Sequence, residues 1–168
     1  MKQICISAVA LLATAISASA SCLSGPASAR LTAQNGIVSD PATGLEWQMC
    51  LHGQIANSSG CEGPATEVSW LEADRIAEDL GWRLPTLEDL NTVLSNAGDG
   101  GHFPMPFALC QSGQIWTASP GFPVNDVAAV VELDTGLVWG TGKGVARLFV
   151  LVRGEINTEY HHSDPPKL

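Results

Sequence analysis

The stretch Gly81-Trp82-Arg83-Leu84-Pro85-Thr86-Leu87-Glu88-Asp89 admits few conformations. Gly81 suits the left-handed residue that closes a helix. Pro85 keeps Leu84 out of helical geometry and so forces a corner. Thr86 offers its hydroxyl to the first free N–H groups of a second helix, and Glu88 and Asp89 fall in that helix's positive first turn. The chain is therefore organised as helix, rigid corner, helix, with Trp82, Arg83, Pro85 and Thr86 as structural corner residues. Upstream, Ser69-x-x-Glu72 is a capping box. Ala73, Ile76, Ala77 and Leu80 then share one face of a helix starting near Ser69. Downstream, Leu87, Leu90, Val93 and Leu94 form an apolar stripe over residues 87–96. Helices this short need a sheet to cover.

The strands come from turn chemistry. Gly36 to Ser39 and Leu45 to Met49 flank Asp40-Pro41-Ala42-Thr43-Gly44, in which Pro fixes φ and Gly supplies a positive one. Ala128 to Leu133 and Leu137 to Trp139 flank Asp134-Thr135-Gly136. Thr-Gly-Leu-x-Trp thus occurs twice, at 43–47 and 135–139, as a shared local solution rather than a repeat architecture. Gln114 to Ser119 is a further strand, and Ala146 to Arg153 an apolar, central one. Residues 97–114 are rich in Gly and Pro and form a long irregular loop, a kind of segment that often carries function.

The N-terminus reads as an export signal over residues 1–20. Lys2 is the positive start, Ile4 to Ile16 the apolar run and Ala18-Ser19-Ala20 the small-residue cleavage site. The run is too short for a membrane span. The alternative is a lipoprotein attached through Cys22, against which Ser19 stands where that processing prefers a Leu-like residue. Residues 21–33 are read as a linker, 34–153 as the domain and 154–168 as a polar tail.

Export places the remaining cysteines, Cys22, Cys50, Cys61 and Cys110, in an oxidising compartment. Cys50 and Cys61 bracket a small-residue loop that a disulfide could staple, for about 2–3 kcal/mol of loop-closure entropy. Cys110 is left with Cys22 or unpaired. An unpaired Cys110 would be the one nucleophile of an enzyme reading. No C-x-x-C pair, Gly-x-Ser-x-Gly or His-Glu-x-x-His occurs in the sequence. A formal charge of −9 argues against nucleic acid and anionic membrane as partners.

The candidate binding residues are Trp70, near the start of the first helix, and Asp99, His102, Asn125 and Asp126, in and after the long loop. Trp70 is the tryptophan expected at the surface, whereas Trp47, Trp82, Trp116 and Trp139 are expected as core anchors. Asn125-Asp126 precedes a strand, and Asn96 and Asp99 lie among glycines. Either set could contribute oxygens to calcium, which takes six to eight. No catalytic set and no resident metal or other cofactor is assigned. Arg83 could hold a carboxylate ligand, but tying the corner to the sheet is the preferred role.

Four pieces occur in order: Gly36 to Trp47, Cys50-x-x-Gly53-Gln54 with Cys61, Trp82 to Thr86, and Trp116 to Ser119 with a closing Val152-Arg153. Together they resemble the Lcl C-terminal domain family, found in exported bacterial proteins that include a collagen-like adhesin. The resemblance covers about residues 34–153. It implies an α+β, C-type-lectin-like fold: two short helices packed on a twisted antiparallel sheet, terminal strands paired, with a long irregular loop region. It also implies the Cys50–Cys61 pairing and a role in binding or adhesion. The acidic balance departs from a polyanion-binding adhesin, and Leu151 stands where a Cys can occur. The expected function is an exported, non-catalytic module for a glycan or protein partner. The alternatives are a structural subunit of a surface appendage or envelope complex, and a cysteine-dependent enzyme.

Overall fold

The computed structural model describes residues 25–27, 29–94, 103–109, 111–121 and 126–157. The export signal, Cys22, Asp99, His102, Cys110 and Asn125 lie outside the described residues. The elements in chain order are β1 (Gly25–Ala27), β2 (Thr32–Gln34), β3 (Ile37–Asp40), β4 (Leu45–Gln48), β5 (Ile55–Asn57) and β6 (Gly60–Glu62). Then follow α1 (Trp70–Asp79), α2 (Leu87–Leu94), β7 (Pro104–Met105), β8 (Gln114–Pro120), β9 (Val127–Glu132), β10 (Val138–Gly142) and β11 (Val152–Arg153).

The central corner forms as its residues dictate. Ser69 caps α1, its Oγ accepting from the Glu72 N–H at 3.4 Å. Gly81, at φ +73°, closes the helix: the Gly81 N–H donates to Glu78 O and the Trp82 N–H to Ala77 O, both at 2.9 Å. At α2, Thr86 Oγ1 accepts from the Asp89 N–H at 3.0 Å, while Asp89 Oδ2 accepts from the Thr86 N–H at 2.7 Å. That reciprocal pair satisfies two otherwise orphaned donors. Arg83 then grips Asp89 through both guanidinium nitrogens (2.5 and 3.1 Å) and donates to Gly154 O at 2.9 Å. Arg83 thus ties the corner to the end of the sheet.

Two antiparallel sheets divide the work, one ordered β11-β4-β3-β2 and the other β10-β9-β8. Val38, Leu45, Trp47, Leu90, Val93, Ile115, Val131, Leu148 and Val150 share one buried cluster. Ala73 and Ala77 of α1 join Trp116, Val130, Phe149 and Leu151 in a second. β2, β3 and β4 from the start of the domain lie in one sheet with the last strand, β11, while β1 pairs in parallel with β7; the paired ends of the domain give the C-type-lectin-like arrangement. Within α1, the face is narrower than expected: Ala73 and Ala77 are buried, but Leu80 is 52% exposed because it stands at the helix end.

Residues 146–153 depart from the continuous strand expected. Only Val152–Arg153 is a regular strand, paired with β4. Upstream, the Arg147 and Val68 backbones exchange hydrogen bonds, and Leu148 pairs with Ile115 in an isolated parallel bridge. Phe149 O and Leu151 O accept from His52 N–H and Gln48 N–H, both at 2.9 Å. The segment crosses from one sheet to the other, so its partners change every residue or two. Its central placement is as expected, since Leu148 through Val152 are all at most 1% exposed.

The described residues at both ends of the domain make ordered contacts with it. β2 folds back on β3 through Asn35 and Gly36, at φ +53° and +76°, a two-residue turn of the kind Asn-Gly favours. Leu31 is buried, and Arg30 forms an ion pair with the buried Asp40 at 2.8 Å. At the other end, the Asn157 N–H donates to Thr43 O at 2.7 Å.

Candidate functional site

The disulfide Cys50–Cys61 is present, with a Cα–Cα distance of 5.7 Å. It pins the β5–β6 hairpin to the end of β4. Backbone bonds fix the floor beside it: the Met49 N–H donates to Gly36 O, and the Ala108 N–H to Met49 O. Thr66 N–H donates to His52 O at 2.8 Å, which closes the loop. Gly53, at φ +94°, lies directly against the Thr66 hydroxyl, where a side chain would overlap it. Glycine is required there both for its backbone angle and for the close approach.

The Asn35–Gly36 turn and the hairpin face each other. A Cβ on Gly36 would stand 3.1 Å from that of Ala56. Two open clefts share this near contact as a wall. One, of about 390 Å³, reaches Gln48, Leu51, His52 and Gln54. The other, of about 350 Å³, reaches Ala33, Gln34, Met49, Asn57 and Ser58. Both fall in the usual size range of small-ligand sites, roughly 300–1,000 Å³. No residue lining either carries a carboxylate, an ammonium or a guanidinium. The His52 ring stacks on Phe149, 4.6 Å between centroids, and burial lowers its pKa from the ordinary 6.5. The imidazole is accordingly neutral at pH 7. Gln54 Nε2 donates to Gly63 O at 3.2 Å, and its buried Oε1 has no hydrogen-bond partner among the described residues.

Of the expected binding residues, Trp70 and Asp126 are described, and Lys143 joins them. The Trp70 N–H donates to Lys143 O and the Lys143 N–H to Asp126 O, both at 2.9 Å. Lys143 Nζ sits 4.1 Å from the Trp70 ring centroid. Trp70 is not the exposed tryptophan expected. It is half-buried, with Nε1 donating to Thr117 O at 2.8 Å. Trp139, expected as a core anchor, is 52% exposed, whereas Trp47 and Trp116 are fully buried. Trp82 is half-buried beneath Arg153, whose guanidinium carbon is 4.5 Å from the ring centroid. Asp99, His102 and Asn125 fall outside the described residues, so of the expected loop site only Trp70 and Asp126 are described.

The clefts at the disulfide hairpin went unread in the sequence. The Asn35-Gly36 dipeptide was the signal that could have found them, because it predicts the turn that forms the shared wall. Among the described residues, no three His, Cys, Asp or Glu side chains group so as to hold a metal ion. No described helix is long and apolar enough to cross a membrane.

Neither a curated protein nor a solved structure shows significant similarity to this chain. The model of the Lcl C-terminal domain family, by contrast, matches residues 36–153. The matched stretch contains the corner, the disulfide, both sheets except β2, and the cleft walls other than Ala33, Gln34 and Asn35, and it covers well over half of the 168 residues. The chain belongs to the Lcl C-terminal domain family.

Proposed function

We propose that the protein is an exported, non-catalytic binding module that recognises a glycan or a protein partner in the periplasm or at the cell surface. The observation that carries this reading is the Cys50–Cys61 crosslink and its setting. The covalent bond holds a hairpin whose outer face, with the Asn35–Gly36 turn, borders two open, uncharged clefts. Binding sites gain from such prior ordering, because a rigid wall has less entropy to lose when a ligand arrives. A disulfide also belongs to an oxidising compartment, in accord with secretion. The irregular parts of the region 97–126, outside strands β7 and β8, are taken to extend the binding surface, with Trp70, Lys143 and Asp126 at its edge.

A glycan array and an envelope-protein capture, both with the mature oxidised protein, test the proposal. Saturable binding that weakens when the cleft or residues 97–126 are replaced supports it. A folded, oxidised protein that retains neither glycan nor envelope protein contradicts it.

A further inference from the structure

Resting on the binding-module reading, we infer that the paired clefts at the disulfide hairpin form a site for an uncharged oligosaccharide, held by carboxamide side chains without a metal ion. Three observations lead there. The first is charge. The protein carries a formal charge of −9, yet no ionised side chain lines either cleft. An anionic ligand meets an unfavourable overall field and finds no cation to bind it. A cationic ligand finds no carboxylate. A neutral ligand is left.

The second observation is the polar inventory. Gln34, Asn35, Gln48 and Gln54 all reach the clefts. A carboxamide offers two donors and an acceptor with two lone pairs, so it can bond neighbouring hydroxyls of a sugar, each of which both donates and accepts. No hydrogen bond ties the side chains of Gln34, Asn35 or Gln48 to another described residue, so these groups are available to a ligand. Gln54 is held by its bond to Gly63 O, and its buried Oε1 has no hydrogen-bond partner among the described residues.

The third observation is shape. Ala33, Met49 and Ala56 give the smaller cleft an apolar wall of small relief. Pyranose rings present C–H faces flanked by hydroxyls, and they match an apolar wall bordered by amides. A peptide side chain would need a deeper apolar pocket than these open clefts offer. The shared wall at Gly36 and Ala56 places two sugar units in adjoining clefts of one site.

Isothermal titration of the mature oxidised protein with maltose, cellobiose and N,N′-diacetylchitobiose tests this, with a heparin disaccharide as the anionic comparison. We expect saturable binding of at least one neutral sugar in the presence of a chelator, and none of the heparin disaccharide. Gln48→Ala and Gln54→Ala each weaken it about tenfold, and Trp139→Ala leaves it unchanged. Gln48→Glu keeps the side-chain shape and also weakens binding, which separates recognition from misfolding; circular dichroism and melting temperature verify the fold of each variant. If folded Gln48→Ala and Gln54→Ala bind like the parent protein, or if the chelator abolishes binding, the inference is overturned. If no neutral sugar binds while the array or the capture still finds a partner, the cleft assignment falls and the binding-module reading stands. A protein with no partner of any kind overturns both.

Discussion

Trp47 and Trp139 occupy the same place in two copies of one turn, yet Trp47 is fully buried and Trp139 is 52% exposed. The turns themselves match. Gly44 and Gly136 have φ of +80° and +69°, and each donates its N–H at 2.8 Å to the residue four earlier. Thr43 Oγ1 accepts from the Leu45 N–H at 3.3 Å, and Thr135 Oγ1 from the Leu137 N–H at 3.2 Å. The difference arises from the surroundings. β4 lies inside its sheet with β3 and β11 on either side, whereas β10 is an edge strand. Trp47→Ala is expected to cost about 3–5 kcal/mol, and Trp139→Ala within about 0.5 kcal/mol of zero. Urea unfolding of both variants checks the contrast.

Asp89 is the most concentrated polar residue of the corner. It is 3% exposed at the side chain and holds the Arg83 guanidinium, the Thr86 hydroxyl and the Thr86 N–H. Asp89→Ala should destabilise the domain by about 2–4 kcal/mol, since it leaves those donors unpaired. A double-mutant cycle with Arg83→Ala should show coupling well above that of the exposed Arg75–Asp79 pair, which lies on the surface of α1.

Breaking the Cys50–Cys61 bond by the double substitution to Ala should lower stability by about 2–3 kcal/mol, as expected for a loop of this length. Amide hydrogen exchange should then rise in β5 and β6 first, while the α2 amides stay protected. Equal loss everywhere would mean that the bond supports the whole core.

His52 predicts a pH dependence. Burial lowers its pKa below the ordinary 6.5, and unfolding restores that value. Below pH 6.5 the unfolded chain takes up a proton that the folded one resists. The stability contributed by the neutral ring is therefore present above 6.5 and is lost as pH falls through the folded value. Denaturant midpoints should drop between about pH 7 and about pH 5, and His52→Phe, which keeps an aromatic ring against Phe149, should flatten part of that slope.

What was legible in the sequence was local. Ser69, Gly81, Pro85, Thr86 and the two Thr-Gly turns act on neighbours within a few residues, so their residue types dictate the outcome. Burial of the tryptophans was not legible, because Thr-Gly-Leu-x-Trp cannot encode whether its strand is central or at an edge. The run at 146–153 reads as one strand by its apolar content, but its partners lie in two sheets and its hydrogen bonds follow them. The candidate clefts need Gly36 beside Ala56, a long-range contact, and only the Asn35-Gly36 turn was written locally.

A backbone-amide chemical-shift map of the oxidised protein during titration with its best-bound neutral disaccharide tests the central claim most directly. The account predicts shifts concentrated at Gly36, Gln48, Gln54 and Asn57, on both sides of the shared wall. Shifts confined to the 97–126 loop, or none at a saturating sugar concentration, would contradict it.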